Sequence, residues 1–354
     1  MPPPRVTFWT GLFEPSREGL SKEVDALRRA LAALGRRPPV VSFSAGQATS
    51  IAQARDGVVR LAGRRWLTLA ALAAVLERRG DVTHAFGGLD AWHFLRALGR
   101  RPVVFTVAIP GEPLDRRLYG RVSVFAAESE ALAAALIEAG AAPERVRVVY
   151  PGVDLEVFYP TPAPPPRPFR LLFASSPPGP AELESRGIPL MVELARANPD
   201  VEVLLLLRRM GDPDGTRRAL EALDPPANVL VSADEVSDMP SAFASAHAVL
   251  APFAPGVGKS CPNSIVEGLA CGRPAIVSPA CGISSLLVRE GAGLAPARTV
   301  AALDGALERL RMRYREYASH ARALAVRRFA LDGFVRGYLA IYEEVAAARR
   351  APAA

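Results

Sequence analysis

Residues 251–274 read APFAPGVGKSCPNSIVEGLACGRP. Ala248–Phe253 is apolar and strand-like, the next residues are rich in glycine and proline, and Asn263–Cys271 has apolar residues at helical spacing. A glycine turn at Gly272 leads to a second strand, Pro274–Ser278. Strand, glycine loop, helix, turn and strand in this order form one repeat of a parallel α/β sheet. The loop sits at a strand's carboxyl end and opens a helix. Unpaired N–H groups and the helix dipole favour an anion there, such as a diphosphate. Gly256 and Gly258 allow close backbone approach, and Pro262 suits a helix start.

The same alternation extends in both directions. Upstream, Phe169–Ala174, Val201–Leu207 and Asn228–Ser232 read as strands, with helices over Ile188–Ala197, Thr216–Leu223 and Met239–Ala246. The continuous apolar run VEVLLLL at Val201–Leu207 is that of a strand buried on both faces. An arginine-rich helical region over Val300–Ala348, with a break expected near Leu331–Gly333, closes the chain. The first half repeats the pattern: strands at Arg5–Thr10, Pro39–Ser44, Asp81–Phe86, Pro102–Val107, Val122–Ala127 and Val146–Tyr150 alternate with helices at Leu20–Leu34, Leu67–Arg78, Leu89–Leu98 and Ser129–Ala139. Between the halves, PTPAPPPRP at Pro160–Pro168 can join neither a helix nor a central strand, so the domain boundary is expected there. The fold class is α/β, with two Rossmann-like domains facing across a cleft. In such sheets ligands bind beyond the carboxyl ends of the strands.

The chain has 354 residues, half of them hydrophobic, and a net charge of +7. That apolar fraction fills real cores and excludes general disorder. No uninterrupted apolar run reaches the length of a membrane span. The start, MPPPR, lacks the apolar core of a secretion signal, and three cysteines suit a reducing compartment, so a cytoplasmic protein is expected. The arginines are dispersed and no nucleic-acid motif accompanies them, so no nucleic-acid partner is expected. Arg60–Leu69 mixes cations with Trp66 and reads either as a weak membrane-surface helix or as a surface helix facing the core. Cys261, Cys271 and Cys281 do not have metal-ligand spacing, and no Asp-x-Asp cluster stands out, so no metal or other cofactor is expected. Of the 43 basic residues only two, Lys22 and Lys259, are lysine. Lysine has drifted to arginine nearly everywhere, as in GC-rich genes, which draws attention to Lys259 in the glycine loop.

Two motif readings compete for that loop. Gly258-Lys259-Ser260 resembles the end of a nucleotide-triphosphate P-loop, but Phe253 stands where its first glycine belongs. The run SIVEGLACGRP, Ser264–Pro274, resembles the nucleotide-sugar signature of GT-B glycosyltransferases of family four. Other segments are similar to that family as well: Glu128–Pro160, which includes PGVDLEVFYP, DVTHAF at Asp81–Phe86, and the Glu14–Gly19 loop. The resemblance implies an acceptor domain over 1–160, a nucleotide-sugar domain over 169–330, and a helix over 331–348 that packs back toward the first domain. It further implies retaining transfer from a nucleotide-diphosphate sugar, with UDP favoured, to a small-molecule, glycan or lipid acceptor. A non-catalytic nucleotide-sugar-binding or partner subunit is the rival class.

Residue roles follow from that resemblance position by position. Glu267 matches the family glutamate that takes the ribose hydroxyls; Ser264-x-x-Glu267 also fits a helix capping box. The family's other glutamate would fall at Lys259, a charge reversal. Lys259 can bind the diphosphate, or pair with an acidic donor sugar or an anionic acceptor. Arg186, followed by Gly187, takes the part of the family's phosphate-binding lysine. The family's first cation is missing at Ser175-Ser176, whose hydroxyls can still donate to phosphate; Arg208 is a candidate replacement. Gly256, Gly258, Ser260, Asn263 and Ser264 complete the expected donor loop. Gly19 would bring N–H groups to the donor from the first domain, and His84, at a strand's carboxyl end, would face the cleft as a third catalytic residue beside Lys259 and Arg186.

Overall fold

The computed structural model describes residues 3–16, 18–44, 51–53, 57–62, 66–89, 93–112, 116–207, 211–232 and 238–350. The chain forms two compact units. One comprises the residues up to Gly152 together with those from Asp332 onward; the other is Val153–Leu331.

The first unit contains β1 (Val6–Thr10), α1 (Gly19–Ala33), β2 (Val40–Ser44), β3 (Ile51–Gln53), β4 (Val58–Ala62), α2 (Trp66–Arg79), β5 (Val82–Gly88), β6 (Val103–Ile109), β7 (Val124–Ala127), α3 (Glu130–Glu138) and β8 (Val146–Val148). Among the described residues its sheet has the order β3-β4-β2-β1-β5-β6-β7-β8, parallel except where β3 pairs with β4. β1, β5 and β7 are buried along their whole length, as strands covered on both faces must be. β3 and β4 are strands that the sequence reading does not include. The helix expected over Leu89–Leu98 lies partly outside the described residues; within them, His93–Ala97 form a 3₁₀ turn.

The second unit contains β9 (Phe169–Phe173), α4 (Ile188–Ala197), β10 (Val201–Leu206), α5 (Pro213–Glu221), β11 (Val229–Ser232), α6 (Met239–Ala244), β12 (Ala248–Ala251), α7 (Asn263–Ala270), β13 (Ala275–Val277), α8 (Ser284–Arg289), β14 (Gly293–Leu294), α9 (Val300–Met312) and α10 (Tyr314–Leu324). Its strands run in the order β11-β10-β9-β12-β13-β14, every pair parallel. The direction of winding reverses between β9 and β12. That is a topological switch point, where loops diverge and leave a crevice beyond the strand ends.

The boundary lies at Gly152, ahead of the proline-rich segment where the sequence suggested it. The reason is Arg273, whose guanidinium donates to the carbonyls of Thr161 and Pro162 and holds that segment on the second unit. The closing helices also break earlier than expected. α10 ends at Leu324, a π turn covers Ala325–Phe329, and α11 (Leu331–Arg350) begins after Ala330. Two backbone hydrogen bonds tie the crossings together: Val153 N–H to Phe329 O, and Leu331 N–H to Val153 O. α11 belongs to the first unit, where Tyr338 donates to or accepts from Thr106 at 2.6 Å and Tyr342 meets His84 at 2.5 Å.

Arg60 lies in β4 and Trp66 opens α2, so the two do not share a membrane-surface helix. Among the described residues no helix is long and apolar enough to cross a membrane.

Candidate active site

The carboxyl end of β12 feeds the glycine loop of the second unit. Gly256 and Gly258 have φ of +77° and +73°, a left-handed conformation that a side chain would strain. The loop is held from several sides. Ser278 Oγ donates to Phe253 O at 2.6 Å, and Ala254 N–H donates to Ser185 O at 2.7 Å. Arg298 donates to Pro252 O and to Glu184 O, both at 2.9 Å. Arg298 thereby clamps the loop to the turn before α4. It lies beyond β14, and no local motif marks it in the sequence.

That turn carries Arg186. Its Nη1 donates to Ser175 Oγ at 2.5 Å, and its Nη2 lies 3.6 Å from Glu182 Oε2. Its Cζ is 6.0 Å from the centre of the Phe253 ring. Its Nε is buried with no hydrogen-bond partner among the described residues. Burial lowers the guanidinium pKa, with Glu182 opposing, but arginine stays protonated at any working pH. The neighbouring Gly187 has φ of +75°, and a Cβ there would lie 2.5 Å from Pro252 O. Only glycine lets the turn approach the loop this closely. Phe253 is far from Ser175 and Arg186 in sequence, and the three meet where β9 and β12 adjoin. Ser176 is buried beside Ser175.

The loop ends on α7. Lys259 Nζ donates to Asn263 Oδ1 at 2.7 Å. Ser260 is 4% exposed and its carbonyl accepts from Cys281 Sγ at 3.9 Å, so it acts in packing the loop as well. The N-cap residue of α7 is Pro262, which makes no side-chain cap hydrogen bond. Ser264 is therefore inside the first turn, and the capping box of Ser264 with Glu267 does not form. Glu267, one turn after Asn263, is 6% exposed. Glu267 is the fifth of the eight residues of α7, a place outside the capping-box pattern.

The first unit shows the opposite arrangement at α1. Glu18 caps that helix, its carboxylate accepting from Leu20 N–H at 3.0 Å and Ser21 N–H at 2.6 Å. The protein's own carboxylate already occupies the N-terminal anion position. Gly19 heads the helix, and two of the amides beside it, those of Leu20 and Ser21, are taken up by Glu18. His84 is a correction to the sequence expectation. β5 runs on to Gly88, so His84 is mid-strand, 0% exposed, and both ring nitrogens are bonded, to Tyr342 and to Thr106 at 2.7 Å. Burial depresses its pKa well below the usual range. It docks α11 and does not reach a substrate. Arg208 lies outside the described residues. The three cysteines are buried free thiols, and burial pushes Cys271 and Cys281 up to about 11.

Comparisons with known proteins bear on the family and the fold. Residues 18–157 match the model of Glycosyltransferase Family 4, and residues 191–312 match that of Glycosyl transferases group 1. The chain is thus a glycosyltransferase, and it belongs to the GT-B class with a family 4 domain followed by a group 1 domain. Among solved structures, it is similar to sucrose-phosphate synthase from Thermosynechococcus elongatus, with a TM-score of 0.75, 15% identity and coverage of 97% of this chain and 100% of that one. HepE of Anabaena in complex with UDP gives 0.74, 18%, 96% and 100%. A glycosyltransferase from Rickettsia africae gives 0.73, 15%, 96% and 98%. No curated protein matches the chain.

Proposed function

We propose that this glycosyltransferase moves a sugar, with retention of anomeric configuration, from a nucleotide-diphosphate sugar to a hydroxyl acceptor, with UDP as the favoured nucleotide. The observation that carries the reading is the start of α7. Its N-cap residue is Pro262, which makes no side-chain cap hydrogen bond, Lys259 is anchored over its first residue, and Glu267 follows one turn later. An anion at the helix start would meet N–H groups, the dipole and an ammonium together. Arg186, with a spare buried N–H, adds a second cation at the same switch point. The Anabaena structures with UDP and UDP-glucose support the choice of nucleotide. Retention rests on the family resemblance.

In this reading Glu267 accepts hydrogen bonds from the ribose hydroxyls. Lys259, Arg186, the Ser175 hydroxyl and the α7 amides stabilise the departing diphosphate. As the sugar C1–O bond breaks, its electron pair goes to the diphosphate oxygen. The acceptor oxygen bonds to C1, and its proton passes to the departing phosphate. The charges are fixed before reaction, so they stabilise the oxygen where charge develops without reorganising. The acceptor is a small molecule, a glycan or a lipid, and the reading assigns no step to a metal ion.

Incubating the full chain with a panel of nucleotide sugars, and following nucleotide diphosphate release and the anomeric proton of the product, tests the reading. Release from a UDP-sugar with a retained anomer is expected. An inverted product overturns retention, and turnover only with another nucleotide overturns the UDP assignment.

A further inference from the structure

The second unit contains a cavity of about 440 Å³ at the far end of α7 from the glycine loop. Its walls are mostly apolar: Pro160 and Ala163 from the incoming segment on one side, Ala318 and Ala323 of α10 on the other. Gly272, which follows α7, lies between them; a Cβ on it would sit 3.8 Å from Ala318 O and 3.9 Å from Pro160 Cβ.

Three arginines line the same cavity: Arg273, Arg315 and Arg322. Arg273 is 2% exposed, and all its described bonds go to neutral acceptors: Phe243 O, Ala244 O, Thr161 O, Thr161 Oγ1 and Pro162 O. Arg322 spends Nη1 on Phe158 O and Ala270 O, at 3.0 and 2.7 Å. Arg315 is exposed and belongs to none of the ion pairs among the described residues, whereas the adjacent Arg313 is paired with Glu316. Carbonyl dipoles satisfy the N–H groups of Arg273 but leave its net charge in place. A mostly apolar cavity with three guanidinium groups and no carboxylate lining it is complementary to an anion that carries an apolar body.

We propose that this cavity is a second binding site, distinct from the donor loop, for a small anionic amphiphile. Arg315 and the free end of Arg322 take the acid group, and the proline and alanine walls take the apolar body. The site is built from Pro160–Ala163, just after the chain enters the second unit, and from α10, just before it leaves. A ligand there fastens both stretches to the end of the helix whose other end follows the glycine loop.

The test titrates the full chain with 8-anilinonaphthalene-1-sulfonate, an aromatic sulfonate of suitable chemistry, in the presence of saturating UDP. Saturable binding with one site per chain is expected. Arg315→Glu and Ala318→Phe should each weaken it at least tenfold, and Arg315→Lys should restore most of it. Thermal melts of the variants in buffer check that the fold is kept; Arg315 is exposed, so its variants serve even if the cavity-filling one fails to fold. The uncharged analogue N-phenyl-1-naphthylamine should not bind saturably. Displacement of the probe by UDP, equal binding by the Arg315 variants, or equal binding of the neutral analogue each overturns the proposal.

Discussion

Lys259 Nζ is fixed 2.7 Å from Asn263 Oδ1, across the junction of the glycine loop and the first residue of α7. The Asn263 side-chain amide orients the ammonium toward the helix start. This is one of only two lysines in an arginine-rich chain, and it stands before a helix whose N-cap residue is Pro262. A flexible point charge suits a diphosphate that must also leave after reaction.

Lys259→Ala should therefore weaken UDP binding about tenfold to a hundredfold, the range of a charge-assisted hydrogen bond. Uridine, which lacks the diphosphate, should bind the variant as it binds the parent. Calorimetric titration of both ligands separates the cases: an equal loss for uridine means the lysine only shapes the loop.

Glu267 has lost its capping explanation, since α7 starts at Asn263 with Pro262 before it. Glu267→Gln should weaken UDP about tenfold by removing a charged acceptor. It should leave 2′,3′-dideoxyuridine diphosphate nearly unaffected. If both nucleotides lose affinity alike, the carboxylate does not read the ribose.

These two residues were legible because their signals are local: a loop, a helix and a spacing that survive in one stretch of chain. The parallel sheets were legible for the same reason, through apolar runs such as VEVLLLL. The Arg186–Ser175–Phe253 cluster was legible only residue by residue. Their meeting depends on the reversal of strand order between β9 and β12, which no local pattern encodes. Arg298 bonds two backbone carbonyls, a task that leaves no motif. His84 was misread because two more buried glycines extend β5 past Phe86, and glycine normally signals a strand's end.

Gly187→Ala should destabilise the second unit by about 1–3 kcal/mol, since it combines left-handed backbone with a 2.5 Å approach to Pro252 O. Gly256→Ala is the control. It has a similar φ, +77°, but nothing within 4 Å of its Cβ, so only the backbone cost of about 1 kcal/mol applies. Chemical denaturation of both variants should rank Gly187→Ala as the worse. A reversed order would mean that the turn before α4 yields easily and does not hold Arg186 against the loop.

His84 gives a prediction about pH, with its sign set by burial. Its imidazole is held well below the ordinary histidine value, because the core disfavours the charged form. The unfolded chain takes up a proton below about pH 6.5 while the folded chain does not. The stability linked to His84 is therefore fully present above that pH, and is lost as pH falls toward the folded pKa, at up to about 1.4 kcal/mol per pH unit. His84→Gln should be less stable than the parent at pH 8, where it loses the contacts to Tyr342 and Thr106. The gap should narrow by pH 5.5. His247, whose pKa burial also lowers, keeps a residual slope in both proteins and so cancels in the difference. Turnover per folded enzyme should survive the substitution, because His84 is shut inside the first unit. A constant stability gap between pH 8 and 5.5 would show that His84 is not held neutral by burial, and loss of turnover in well-folded His84→Gln would return it to the catalytic set.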